Sequence, residues 1–395
     1  MIAILAPGQG AQTPGMLGPW LELDGVPALV GEFSELTGLD LQRLGTTADA
    51  DEIKDTAVTQ PLIVALGLVV AAQLRLPSGA DDRIVVAGHS IGEVTAAGVA
   101  GVLTPADAVS LAGRRGAEMA AACALVPTSM AAVLGGDPDE VSAAIVAAGL
   151  TPANRNGAGQ IVAAGSADAI AALLESPPAG VRVRPLQVAG AFHTEFMAPA
   201  EEALRPFATD LNPADPRPVL LSNADGSGVD SGTEFVDRLV AQVTRSVRWD
   251  LCLAALRTVE ATATIELSPA GTLTGIAKRE LPGVELVAIK SPDDLATAQR
   301  LLDEAAPAAS GERTVTAPVK GIVTRAEGLD AGRRVRAGTR LATVRTNRGE
   351  QAVLAPAGGV LTEWLKLDGD VVAADLPVAR LSVGTSDESA SGTEG

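Results

Sequence analysis

Gly88-His89-Ser90-Ile91-Gly92 sets a serine between two glycines, directly after the β-branched run Arg83-Ile84-Val85-Val86-Ala87 and before an alanine-rich helical pattern. A sharp strand-to-helix turn of this kind lifts a serine hydroxyl clear of a sheet, and the flanking glycines remove side chains that would collide in the turn. The following helix N-terminus offers backbone N–H groups and a positive dipole end to a developing oxyanion. A serine nucleophile needs a base, and the chain holds two histidines. His89 adjoins Ser90, and neighbours on such a turn point in different directions. His193, in Ala191-Phe192-His193-Thr194-Glu195-Phe196, is therefore the candidate base. No acidic third member can be selected from 48 carboxylates by sequence.

Two further features bear on a site. Gly8-Gln9-Gly10-Ala11-Gln12 follows the first strand as a turn or as a loop whose backbone approaches a ligand. It is not G-x-G-x-x-G and supports no dinucleotide. Arg114 and Arg115 lie on one helix about 100° apart, so at most one can face a site; helical arginine is by default solvated surface.

The elements that must position these residues divide the chain. Residues 1–123 alternate strands and helices, which implies a mainly parallel sheet. Over 128–190 the order is β-α-β-β-α-β (strands at 129–134, 151–154, 160–164 and 181–188), the ferredoxin-like unit, inserted into the larger domain. The body resumes over 191–304 with strands at 264–267 and 285–289. An Ala/Pro/Ser linker over 305–312 leads to 313–383, a set of short strands with an internal repeat. Ala317-Pro318-Val319-Lys320-Gly321-Ile322-Val323 returns 38 positions later as Ala355-Pro356-Ala357-Gly358-Gly359-Val360-Leu361. Two copies of one all-β half predict a small sandwich with internal two-fold symmetry. The segment 384–395 reads as a disordered tail.

The net charge of −18 is an average. Residues 1–312 carry 19 basic and 38 acidic side chains, 313–383 carry 11 and 7, and the tail adds three acids. The acidic balance, with eight aromatic residues in 395, argues against nucleic-acid binding. Two cysteines exclude a disulfide framework or a four-thiolate zinc site and fit a reducing cytosol. The start of the chain reads as a strand rather than a signal peptide, and no apolar run is long enough to span a membrane, so a cytoplasmic protein is expected.

Taken together, these residues resemble the malonyl-CoA:acyl-carrier-protein transacylases. The markers are Gly8-Gln9-Gly10-Ala11-Gln12, Gly88-His89-Ser90-Ile91-Gly92-Glu93 and Arg115-Gly116. Asn154-x-Asn156 with Gln160, Gly190-Ala191-Phe192-His193 and Ser222-Asn223 follow. Gln242 before Val247-Arg248-Trp249, then Glu266-Leu267-Ser268-Pro269-Ala270-Gly271, complete the set, in family order over about 1–303. The family usually has Gly-Pro-Gly where this chain has Ser268-Pro269-Ala270-Gly271. The resemblance implies an α/β-hydrolase-like body (1–127 and 191–304) and a ping-pong transfer of malonyl from coenzyme A to the phosphopantetheine thiol of acyl carrier protein through Ser90. His193 would be the base, oriented by the main-chain carbonyl of Gln242. The N–H groups of Gln9 and Ile91 would form the oxyanion hole, and Arg115 would hold the malonyl carboxylate. Phe192 would crowd a methyl branch, and Asn154 and Gln160 would contact substrate. No metal or cofactor is implied. The competing reading is a serine thioesterase or esterase using the same pair; Arg115 and the lack of an HGGG-type loop count against it.

Residues 313–383 resemble a lipoyl/biotinyl carrier domain. Counting back from Ala355-Pro356, the modifiable lysine position holds Arg348, which cannot form the amide, so no modification is expected. The segment reads instead as a docking module for a partner, such as an acidic carrier protein, or as a basic unit packed on the acidic body.

Overall fold

The computed structural model describes residues 1–76, 83–304, 311–347 and 349–383. Arg348, linker residues 305–310 and the tail 384–395 lie outside the described residues. In chain order the strands of the first 304 residues are β1 (Ile2–Ala6), β2 (Ile84–Gly88), β3 (Thr128–Leu134), β4 (Thr151–Gly157), β5 (Gln160–Ser166), β6 (Arg182–Pro185), β7 (Val219–Leu220), β8 (Ala263–Glu266) and β9 (Glu285–Ala288). Five of them form a parallel sheet in the order β7-β2-β1-β8-β9. β1 and β2 are buried along their whole length, as expected for parallel strands covered on both faces. The helices Thr56–Ala72 and Pro105–Cys123 pack along each other on one side. The second starts where Thr104 caps it, accepting from Asp107 N at 3.1 Å, with proline in the first turn.

β3 to β6 form a separate antiparallel sheet in the order β4-β5-β3-β6. Its own core joins Val133 and Ile161 to Ile145 and Ile170 of the helices Pro138–Ala147 and Ala167–Glu175. The sheet is held to the body through β4: Arg155 N donates to Val247 O at 2.9 Å and Val247 N to Ala153 O at 2.8 Å. That join brings Asn154 and Asn156 over the end of β2. β4 runs to Gly157, three residues past its expected end, and β6 covers only the first half of its expected span.

The last strands are β10 (Gly311–Thr316), β11 (Gly321–Arg325), β12 (Arg334–Val335), β13 (Arg340–Thr346), β14 (Gly349–Leu354), β15 (Gly359–Trp364), β16 (Val371–Val372) and β17 (Pro377–Val383). They make two four-stranded sheets, β10-β17-β15-β12 and β14-β13-β11-β16. Exchanging the two sequence halves (β10 for β14, β11 for β15, β12 for β16, β13 for β17) turns one sheet order into the other strand for strand. The repeat in the sequence is thus a two-fold in the fold. β10 begins at Gly311, inside the segment expected to be linker.

The sandwich does not hang free. Ala337 and Leu354 enter a core of the body with Val219, Leu221, Trp249 and Leu253. Gly228 N donates to Gly338 O at 2.7 Å, Arg340 pairs with Asp225 at 3.0 Å, and Arg313 pairs with Glu260. Of the two roles expected for its basic residues, packing against the acidic body is visible here.

Candidate active site

β2 ends at Gly88 and the helix Gly92–Val99 begins four residues later, so Ser90 must turn the chain within two peptides. It does so at φ +53°, a left-handed conformation rare outside glycine. The glycines are sterically required. A Cβ on Gly88 would sit 2.0 Å from Gly92 O, and one on Gly92 would sit 2.2 Å from Ala6 O. The turn is pinned from behind by Asn223, whose Oδ1 accepts from Ser90 N at 2.8 Å and whose Nδ2 donates to Gly88 O at 2.8 Å.

His193 Nε2 lies 2.7 Å from Ser90 Oγ, and its Nδ1 lies 2.8 Å from the main-chain oxygen of Gln242. A carbonyl only accepts, so the ring proton is assigned to Nδ1, leaving Nε2 to take the serine proton. Burial, and next the nearby Arg115 guanidinium, push His193 down to about 3, against the Gln242 carbonyl, which pulls it up. The base is therefore neutral throughout the physiological range. His89 turns the other way, with Nε2 on Asn156 Oδ1 at 2.8 Å and its ring edge-on to Trp249.

Gln9 N and Ile91 N donate to no protein acceptor among the described residues. Ile91 immediately precedes the helix Gly92–Val99, so its N–H and the helix end face the same opening.

Arg115 departs from the solvated default for helical arginine. It is 2% exposed, and Nη1 donates to Gln60 Oε1 at 2.7 Å while Nη2 donates to Gln242 Oε1 at 3.0 Å. Arg114, one position back, points outward and pairs with Glu118 at 2.9 Å, as their angular separation requires. Burial lowers Arg115 to about 10, with the Glu93 carboxylate opposing, and the group stays cationic at neutral pH. A buried guanidinium whose direct partners are two neutral amides is under-compensated, and suits an anionic ligand.

These groups share one cavity of about 260 Å³ between the parallel sheet and the small antiparallel sheet. Ser90, His193, Arg115, Gln9 and Ile91 line it, as do Asn154, Gln160 and Phe192, with apolar surface from Met119, Met130 and Leu186. Gln242 contributes from behind. Its carbonyl orients His193, its amide oxygen accepts from Arg115, and its amide nitrogen donates to Glu93.

Three partners carried no role in the sequence: Gln60, Glu93 and Asn223. Glu93 is 1% exposed, accepts from Asn223 N at 2.6 Å, and is pushed up to about 8 by burial. Asn223 and Glu93 stood inside recognisable motifs; Gln60 had no signal at all.

Both thiols are protonated at neutral pH. Burial raises Cys123 to about 11 and lifts Cys252, behind Asn223, well above its usual value. No group of metal-ligating side chains occurs among the described residues, and none of the described helices is long and apolar enough to cross a membrane.

Residues 5–298 match the model of the acyl transferase domain. The malonyl CoA-acyl carrier protein transacylase of Mycobacterium tuberculosis is 56% identical over 296 residues, covering 75% of this chain and 98% of that protein. The crystal structure of MCAT from Mycobacterium tuberculosis superposes with a TM-score of 0.74 at 55% identity, covering 76% of this chain and 99% of that one. A malonyl-transacylase solved with a type II PKS acyl-carrier protein gives 0.71 at 27% identity, over 76% and 99%. With serine, histidine and buried arginine converging inside the matched region, the chain belongs to the acyl transferase domain family, among the malonyl CoA-acyl carrier protein transacylases.

Proposed function

We propose that this protein transfers malonyl from malonyl-CoA to the phosphopantetheine thiol of acyl carrier protein through a malonyl ester on Ser90, supplying fatty-acid synthesis. The observation that carries this reading is Arg115, buried in the same cavity as the Ser90–His193 pair. In the first half-reaction Ser90 Oγ attacks the thioester carbonyl as His193 Nε2 takes its proton. The Gln9 and Ile91 N–H groups receive the oxyanion. The C–S bond then breaks, and coenzyme A leaves as thiol with the proton from His193. In the second half-reaction the carrier thiol gives its proton to His193 and attacks the ester carbonyl. The C–O bond breaks and Ser90 regains its proton, so no net proton is gained or lost. Arg115 holds the malonyl carboxylate through both halves, in the bidentate geometry a planar guanidinium suits.

Anchoring the acyl group by its carboxylate favours transfer over the thioesterase alternative, because the ester stays placed for a large thiol rather than released to water. Phe192, only 7% exposed on the cavity wall, disfavours a methyl branch by about 10–200-fold. Asn154 and Gln160 contact the substrate arm. Intact mass after mixing with malonyl-CoA tests the reading: the unsubstituted chain gains malonyl and Ser90→Ala does not. A chain that gains nothing refutes it.

For the architecture, we read 1–127 with 191–304 as an α/β-hydrolase-like body. The sheet order β4-β5-β3-β6 supports a ferredoxin-like subdomain at 128–190, and the two-fold strand pattern supports a lipoyl/biotinyl-like sandwich. In sequence Arg348 falls between β13 and β14, where that family carries its modifiable lysine, so the sandwich stays unmodified. Its surface keeps Ile322, Leu367 and Val371 exposed beside Lys320 and Lys366, the face on which an acidic partner would dock. Soluble thioester substrates and two unpaired cysteines support a cytoplasmic reaction, and neither cofactor nor metal is expected.

A further inference from the structure

One of the places where the body and the sandwich meet is a loop that also reaches the nucleophile. After β7, residues 221–229 fold back on themselves: Ser222 N donates to Ser227 O at 3.0 Å and Gly226 N to Ser222 O at 2.8 Å. At its near end this loop carries Asn223, fully buried, whose side chain accepts from Ser90 N and donates to Gly88 O, and whose N–H donates to Glu93. At its far end Gly228 pairs with Thr339 as a parallel bridge, its N–H donating to Gly338 O at 2.7 Å. Between the two, Asp225 Oδ1 accepts from Ser227 Oγ at 2.6 Å and from Arg238 at 3.0 Å, while its Oδ2 accepts from Arg340 of the sandwich at 3.0 Å.

We propose that the C-terminal sandwich is an internal brace for the nucleophile, with Gly338 and Arg340 acting as positioning residues that hold the 221–229 loop so that Asn223 keeps Ser90 in its left-handed turn. This rests on the reading of Ser90 as the acylated residue. Three observations support it. The contact is tight by construction: Gly338 lies at φ +77°, and a Cβ there would sit 3.1 Å from Val219 Cγ1 and 3.3 Å from Leu221 Cδ2. It is apolar at its centre, where Ala337 is wholly buried and Leu354 nearly so. Finally, the path from Gly338 to Ser90 is short and made of hydrogen bonds that fix main-chain positions, so a displaced loop withdraws the acceptor from Ser90 N directly. The exposed Arg340–Asp225 pair is the weaker element, since solvent-exposed ion pairs contribute little.

The test uses the full chain with Gly338→Val, which strains the backbone and opens the contact, and with Arg340→Glu, which reverses the charge facing Asp225 without touching the sandwich core. Single-turnover formation of malonyl-Ser90, KM for malonyl-CoA and amide exchange across 219–229 are measured together. For Gly338→Val we expect faster exchange at Gly226 and Gly228, about tenfold slower acylation at saturating malonyl-CoA, and KM within twofold. For Arg340→Glu we expect about threefold slower acylation, recovered in Arg340→Lys. Unchanged acylation alongside accelerated exchange overturns the brace, as does unchanged exchange in both variants. A fall in acylation that only tracks the loss of folded protein by near-ultraviolet circular dichroism also overturns it. If the unsubstituted chain itself gains no malonyl, the failure belongs to the reading of Ser90 and not to the brace.

Discussion

The body and the sandwich differ most in what they bury. Inside the body lie Gln60, Glu93, Arg115, His193, Asn223 and Gln242, each almost sealed from solvent, whereas no polar side chain is buried among the described residues of the sandwich. The sandwich core is Val, Leu and Ala arranged in two matching halves. Burying polar and charged groups opposes folding unless each is paired. A region that accepts that cost repeatedly at and behind one cavity is organised for chemistry, and a region that avoids it is organised to hold a shape. The difference teaches where to cut: substitutions in the body or at its seam with the sandwich should change rates, and substitutions on the sandwich surface away from that seam should not.

The largest break is at the nucleophile and base. Ser90→Ala should abolish acylation outright, and His193→Ala should slow it by about 10²–10⁴-fold, the range for a general base. Both are read by intact mass in a malonyl-CoA time course, and appreciable acylation of Ser90→Ala would move the chemistry elsewhere. Next is Arg115→Ala, expected to slow malonyl transfer by about 10²-fold while acyl transfer from acetyl-CoA holds or rises. Arg115→Lys should recover little, because an ammonium lacks the bidentate fork. Equal loss for malonyl and acetyl substrates would remove the carboxylate-anchor role.

A smaller effect concerns pH. The dependence of kcat/KM reports the free enzyme. With His193 held near 3, the histidine contributes no inflection between pH 5 and 7, since its neutral form is already fully populated above that value. Glu93, raised to about 8 by burial, is protonated below that pH and ionises above it, so a change near 8 belongs to Glu93 and should vanish in Glu93→Gln. An inflection near 6.5 in both proteins would contradict the buried neutral base. The smallest effect is on the sandwich face: Lys320→Ala and Lys366→Ala should leave acylation unchanged and shift stability by no more than about 0.5 kcal/mol in chemical denaturation. If either raises KM for acyl carrier protein, this face takes part in docking and the division between the two regions is less sharp.

The contrast also explains what could be read in advance. Ser90 was legible because its turn is local: three residues at fixed spacing, between a strand and a helix, dictate the geometry. His193 was legible through scarcity. The two-fold sandwich was written as a repeat. Gln60 and Glu93 were not legible as participants because their roles exist only where separate helices converge, and a lone glutamine on an apolar helix has no local signature. Arg115 illustrates the same limit. Its helix position permitted either face, and only packing against the helix Thr56–Ala72 decided it. The charge of the sandwich offered packing on the acidic body as one of two readings, but it did not show where the seam would lie. Ala337 and Leu354, which sit in the seam, are unremarkable in composition.

The two raised thiols have a consequence for fidelity. A thioester that meets a thiolate can pass its acyl group to that sulfur, and a protein that meets coenzyme A thioesters at every turnover is exposed to that side reaction continually. Cys252 lies within 3.6 Å of Asn223, one residue removed from Ser90, yet it is fully buried and held protonated. Cys123, also protonated at neutral pH, is a poor nucleophile as well. Neither thiol is therefore a ready acceptor for the acyl group, and acylation of sulfur is suppressed by proton retention rather than by the absence of sulfur.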